Sequence, residues 1–326
     1  MHRDTLSYVT ANLAGPPTRG DDLELDRITD ALREADRTGD VVASVIRDTL
    51  DQLYDGQHTG RWNFNELHKT EKTHMGTLIE INLQRTFDFA DGDATDYRIA
   101  GIEVDCKYSM SGQWSLPPEV IGHFALLITA DDYKSTWRAG LMKIETRWLN
   151  PGRNRDQKAV LSLAGRRRIR WLWPDHGQLP KNLFLALDPT TRDKIFMAKA
   201  RHGQRHGQAR TNELFRQVQG EIIRRPELAT VAQQDDFMKR ARSNGGARGH
   251  LRPEGILVLG HQDNDPLVAR ALGLPVPSKG EFVAARVVPA RPDRRDPTAK
   301  IAGQDWAIAR PGDPIVTAPD LPKRPE

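Results

Sequence analysis

The sequence predicts a mixed α/β protein. A mixed sheet flanked by helices fills the first half, and a second domain follows. Three observations carry this. Apolar residues recur every three or four positions through 23–55 and 73–89, the helical period. Strand-like runs rich in β-branched residues follow at 97–109, 123–130 and 139–145. The chain of 326 residues is longer than one typical core, which points to two domains.

Taken in order, "LELDRITDALREADR" and "DVVASVIRDTLDQLYDG" read as helices. "THMGTLIEINLQRTFDF" reads as another, opened by Thr73 as N-cap. After the strands, "NPGRNRDQK" is a turn. "WPDHGQLPKN" has Pro and Gly but no period, so the first domain is placed at 1–172, a linker at 173–181 and the second domain at 182–326. "RTNELFRQVQGEIIRR" is an amphipathic helix, and "DDFMKRARSNGG" a second with Asp at its start and Gly at its end. "GILVLG", "EFVAARVVPA" and "DWAIARPG" read as strands, and "APDLPKRPE" as a frayed tail. In "RHGQRHGQ" two histidines stand four apart, but Gly203 and Gly207 argue for a flexible basic loop.

No apolar run reaches the length that spans a membrane, and the N-terminus lacks a secretory pattern. A single cysteine, Cys106, excludes an internal disulfide or a cysteine metal cluster and fits a reducing cytoplasm. Charge is uneven. Residues 1–60 hold six Arg against twelve acids, whereas 201–252 hold ten Arg and one Lys against five. The second region suits a polyanion, or is simply a solvated basic patch.

The chemistry concentrates in "YRIAGIEVDCKYSM". Taken as a hairpin turning at Ala100-Gly101, it sets Arg98 opposite Glu103, Tyr97 opposite Val104, and Asp96 opposite Asp105. One face then holds Asp96, Arg98, Glu103, Asp105 and Lys107; the other, with Tyr97, Val104 and Cys106, faces the core. Arg98 and Glu103 can neutralise each other. Asp96 and Asp105 repel unless a cation lies between them or one is protonated. A hard divalent cation such as Mg²⁺ suits two carboxylates and leaves positions for water and a phosphate oxygen. Lys107 reaches the same space, where it can orient or deprotonate an attacking water or steady a developing phosphorane charge. Glu80, between Ile79 and Ile81, is a charge that is costly there unless used or paired. The plainer alternative is a solvated strand face with Lys107 as counter-ion to Asp105.

An acid at the start of a hairpin followed by acid-x-Lys on the next strand resembles the signature of the restriction-endonuclease superfamily. "DTLDQLYDGQHTGRWNF", "LHKTEKTHMGTLIEINL", "DYRIAGIEVDCKYSMS", "HGQARTNELFR", "TVAQQDDFMKR" and "LRPEGILVLGHQDNDP" together resemble NaeI-type restriction endonucleases, over nearly the whole chain. The resemblance implies an N-terminal endonuclease domain and a C-terminal winged-helix or helix-turn-helix-like DNA-binding effector domain. It implies a cytoplasmic Mg²⁺-dependent homodimer that takes two copies of a GC-rich palindrome, GCCGGC, cutting one while the other acts as effector. Glu80, Asp96, Asp105 and Lys107 match its catalytic positions, the three acids as metal ligands.

Two further stretches bear on function. "LYDGQHTGR" is similar to the Lys-x-Asp-Gly of DNA ligases, but Leu53 stands where the nucleophilic lysine would be, which excludes adenylation there. Asp55-Gly56 then reads as a helix-ending turn. Within 210–255, Lys239, Arg240, Arg242, Arg248 and Arg252 are candidate DNA contacts, since Arg pairs bidentately with guanine and also serves as a plain phosphate contact. "HQDND" before Pro266 reads as an acidic helix start. The leading expectation is a Mg²⁺-dependent site-specific endonuclease. Its rivals are a non-catalytic DNA-binding regulator, disfavoured by the intact acid–lysine set, and a ligase- or topoisomerase-like enzyme, disfavoured by Leu53.

Overall fold

The computed structural model describes residues 15–173, 177–200, 202, 206–242 and 245–321. Two compact units emerge. One takes the chain up to Leu53 and then Phe64–Asn182; the other takes Tyr54–Asn63 and the chain from Leu183. The chain therefore passes between units after Leu53, after Asn63 and after Asn182.

In the first unit, α1 (Leu23–Ala35) starts at Asp22, whose carboxylate accepts the Leu25 N–H. Next come α2 (Asp40–Tyr54) and the short α3 (Gly56–Thr59), which belongs to the second unit. Helix α4 (Lys69–Phe87) begins four residues before the expected cap Thr73, because Glu71 accepts the His68 N–H at 2.7 Å and closes the helix start there.

Strands β1 (Ala90–Asp91), β2 (Tyr97–Ile99), β3 (Ile102–Tyr108), β4 (Phe124–Asp131) and β5 (Thr136–Lys143) form the sheet in that order. All neighbours are antiparallel except β3 and β4. Strand β5 lies a few residues earlier than expected because it pairs along its length with β4, from Asp131↔Thr136 to Phe124↔Lys143. After α5 (Leu163–Arg167), β6 (Arg170–Trp171) and β7 (Gly177–Gln178) both pair with β5. The expected linker at 173–181 is thus an edge of this sheet, with 174–176 outside the described residues. Its apolar side chains decide the matter: Trp173 is buried against Trp137 with ring centroids 5.4 Å apart, and Leu179 is buried too.

One face of the sheet is covered by α1, which packs on β2 and β5, and α4, which packs on β3. The other carries a core of Trp114, Leu116, Leu127, Trp148 and Leu161 among others.

In the second unit, α6 (Leu183–Ala186), α7 (Pro189–Met197) and α8 (Gly207–Gln217) precede β8 (Ile222–Ile223). The helix expected over "RTNELFRQVQGEIIRR" ends at Gln217. Gly220 at φ 78° turns the chain, and Ile222 and Ile223 pair with a later strand. Then come α9 (Arg225–Ala232), α10 (Phe237–Ala241), α11 (Ala247–Leu251), β9 (Ile256–Leu259), α12 (Asp265–Ala271), β10 (Phe282–Pro289), β11 (Thr298–Ile301) and β12 (Gln304–Ile308). Strand β10 pairs antiparallel with β8, β9 and β12. Helices α8 to α11 share one core with β9 and β10.

The segment around α3 is built into this unit. A methyl group on Gly56 would fall 2.0 Å from Thr230 Oγ1 of α9, so only glycine fits. Trp62 packs between Phe184 and Phe196, with centroids 6.1 and 6.5 Å away, under the Arg192 guanidinium. The tail expected to fray is held down: Ala318 exchanges hydrogen bonds with Arg252, and Leu321 packs on the core. Residues 322–326 lie outside the described residues, as do Arg201 and 203–205 of the histidine repeat. His206 of that repeat accepts the Ala200 N–H just before α8.

Candidate active site

The β2–β3 hairpin turns at Ala100 and Gly101, with φ of 52° and 77°, the two positive angles a tight two-residue turn needs. Its register is Tyr97↔Val104, Arg98↔Glu103 and Ile99↔Ile102, as the alternation required. Tyr97, Val104 and Cys106 are buried on the core side. Tyr97 also donates its hydroxyl to the Glu80 carbonyl at 3.0 Å, fastening α4 to the hairpin.

Just beyond the ladder, Asp96 Oδ2 accepts the Cys106 N–H at 2.6 Å, which turns its carboxylate toward β3. The loop delivering Asp96 is gathered around one side chain. Glu103 accepts the N–H groups of Asp93, Ala94 and Thr95, the Thr95 hydroxyl and the Arg98 Nε–H, all between 2.8 and 3.1 Å. Partial burial raises the Glu103 pKa, but the bonds from Thr95, Ala94 and Arg98 outweigh it and hold it down at about 2. The expected Arg98–Glu103 pair exists, and Glu103 also organises the loop. The clue was the turn-rich "GDATD" directly before the strand.

Lys107 Nζ stands 2.7 Å from Asp105 Oδ2 and 3.6 Å from Asp96 Oδ2, and donates to the Cys106 carbonyl at 3.0 Å. Asp105 is buried, with 5 % of its surface exposed. Burial pushes its carboxyl up to about 6 although the Lys107 ammonium pulls the other way; nearby Asp96 adds to the rise. Burial also works against the Lys107 charge, yet Asp105 and Asp96 keep its pKa above the usual lysine value. Glu80 on α4 is raised, first by burial and then by Asp96 and Asp105 against Lys107. Glu80 thus feels the charges of all three other expected residues.

The acids do not close into a ready-made cage: among the described residues no three His, Cys, Asp or Glu side chains form a metal-holding group. The donor chemistry still fits a hard cation. Asp105 Oδ2 is buried with no hydrogen bond of good angle, its 2.7 Å approach to Lys107 notwithstanding. Mg²⁺ is commonly held by one or two carboxylates, with waters and substrate phosphate completing its shell.

Leu53 is buried near the end of α2, with no nucleophile in its place. Asp55, at φ 47°, ends that helix as expected.

The candidate DNA contacts of the second unit have a different character. Arg248 is paired with the buried Asp265, which also accepts the Gly260 N–H. Arg252 is paired with Asp320, and Arg240 with Asp236 one helical turn earlier. Lys239 and Arg242 have no ion pair among the described residues. "HQDND" therefore contributes a structural carboxylate, Asp265, as well as a helix start.

Residues 26–317 match the family model described as Restriction endonuclease NaeI. The chain is also 60 % identical to the Type II restriction enzyme NaeI of Lentzea aerocolonigenes over 304 residues, 93 % of this chain and 96 % of that one. No described helix is long and apolar enough to cross a membrane. A match of this extent makes the chain a member of the NaeI restriction endonuclease family, a type II site-specific deoxyribonuclease.

Proposed function

We propose that the first unit cuts both strands of a GC-rich palindrome, GCCGGC, in a Mg²⁺-dependent hydrolysis, and that the second unit binds another copy of the site as effector. The observation that carries the catalytic part is the hairpin register, with Lys107 lying between the Asp105 and Asp96 carboxylates. Asp105 and Asp96, with Glu80 beside them, would hold the cation. A cation held there would supply Lewis-acid chemistry, polarising the phosphoryl group and acidifying a water. Asp96 is kept in place by the Cys106 N–H, and Asp105 by its burial in β3. Lys107, fixed by the Cys106 carbonyl, orients the attacking water and steadies charge on the phosphorane.

For the second unit we infer a winged-helix module. What supports it is the order α8, β8, α9, α10–α11, β9, β10, with β10 between β8 and β9. Lys239 and Arg242 are its best-placed phosphate contacts, with Arg240, Arg248 and Arg252 as paired neighbours. One chain carries one Glu80–Asp96–Asp105–Lys107 set, so cutting both strands of a palindrome takes a homodimer.

The test is plasmid cleavage with Mg²⁺, sequencing of the ends, and comparison of one-site with two-site plasmids. Blunt ends at the centre of GCCGGC, faster cutting of the two-site plasmid, and acceleration of the one-site plasmid by an added short duplex are expected. Cutting at another sequence overturns the site. Equal rates unchanged by added duplex overturn the effector role.

A further inference from the structure

The densest basic segment of the chain is in the first unit, outside the region that composition singled out. Residues 147–168 hold six Arg and one Lys against a single acid, Asp156. Much of this segment is an arm, residues 149–161. Bridges Leu149↔Leu161 and Leu116↔Ala159 clamp its base, and Asn150 donates its N–H to Val160 O at 2.9 Å.

Its tip is a built turn. Asn154 donates its N–H to Lys158 O at 3.0 Å, while its side-chain oxygen accepts the N–H groups of Asp156 and Lys158 at 3.0 and 2.8 Å. Every residue from Pro151 to Lys158 is exposed. Two flanking arginines are already engaged: Arg147 pairs with Glu145, and Arg168 donates to Gly15 O over the Trp148 ring. Arg153, Arg155 and Lys158 at the tip have no ion pair among the described residues.

The root of the arm says where it stands. Laterally paired residues of a sheet project to the same face. Asp105 pairs with Ala125, which pairs with Met142, and Lys107 pairs with Leu127. Ala125, Leu127 and Met142 share one core with Leu149, Ala159 and Leu161. The arm is therefore rooted on the face that carries Asp105 and Lys107.

We propose that the arm 149–161 grips the DNA being cut, with Arg153, Arg155 and Lys158 on the phosphates flanking the cleavage position. The family assignment supplies a duplex as the substrate. The acids of the catalytic cluster repel its phosphates, so a nuclease unit needs nearby cations to hold them, and this tip offers the unpaired ones.

Two experiments on the full-length chain test it. The first compares single-turnover cleavage of a one-site duplex by wild type, Arg153→Ala/Arg155→Ala/Lys158→Ala, and Asp156→Lys. Asn154 is kept so that the turn persists, and thermal melting checks folding. The triple variant is expected to need on the order of tenfold more DNA for half-saturation. Its log–log salt slope should be shallower by about 2–3, one contact per lost cation, with the saturated rate within about twofold. Asp156→Lys is expected to move half-saturation the other way. Unchanged half-saturation and salt slope in both variants overturn the proposal, while wild-type cleavage in the same assay keeps the family reading apart from it.

The second experiment attaches a photocrosslinker to Arg155→Cys. The native Cys106 is buried, so the label goes to the arm. Crosslinks within a few base pairs of the cut support the proposal; crosslinks only elsewhere, or none, overturn it.

Discussion

Charged side chains are arranged differently in the two units. In the first, Asp96, Asp105 and Glu80 gather around the single cation Lys107, and burial, with Asp96 adding to it, pushes Asp105 up to about 6 despite a lysine 2.7 Å away. In the second, Arg248, Arg252 and Arg240 each have a carboxylate of their own. An unbalanced cluster is what binding a cation and a phosphate requires. A balanced pair holds the fold together. A charge is informative about function when the protein leaves it incompletely answered.

The largest effect expected from this contrast is at Asp105. Asp105→Asn removes a candidate ligand but no phosphate contact, and should cut the cleavage rate by roughly 10³-fold or more, several kcal/mol of transition-state stabilisation. Gel-shift affinity should survive. Normal plasmid cleavage by the variant would erase the contrast between the units.

Arg248→Ala should show up as lost stability. It strands Asp265, whose carboxyl is already raised by burial against the pull of Arg248. A loss of about 3 kcal/mol, on the order of 10 °C in Tm, is expected. Arg242→Ala should leave Tm in place and flatten the salt dependence of DNA binding by about one contact. Identical melting of the two variants would mean that pairing does not distinguish these arginines.

The smallest expected loss of stability concerns Glu103 and acid. Its folded pKa is about 2 against an ordinary 4.5, so its contribution is complete above pH 4.5 and is lost as pH falls toward 2. Glu103→Gln should therefore flatten the acid limb of stability between those values. At neutral pH it should also weaken Mn²⁺ binding and cleavage by about 10–100-fold, by loosening the loop that carries Asp96. Wild-type acid melting and Mn²⁺ affinity together would remove Glu103 from the supporting shell.

How far the sequence could be read follows the same divide. The hairpin was legible because a two-residue turn and strict alternation determine which side chains face each other, all within a dozen residues. The partners of Arg248 and Arg252 lie 17 and 68 residues downstream, beyond any local pattern. Helix α9 was missed among small residues, although Pro226 in its first turn and Glu227 accepting the Arg224 N–H are start signals. The linker expected at 173–181 fails because the burial of Trp173 and Leu179 outweighs the local Pro and Gly signal. The local sequence of the arm 149–161 shows only its turn, since what surrounds its base is set by residues far away along the chain.

The segment 54–63 leaves the first unit, builds α3 against α9, and returns to begin the run to Glu80. The two units thus alternate along the chain, and no single break can part them cleanly. A fragment beginning at 182 would lack ten residues of its own wall, baring Thr230 and the Phe184–Phe196 rings. Swapping second halves between relatives at that boundary would leave an open seam; an exchange that carries 54–63 along with the second half would close it.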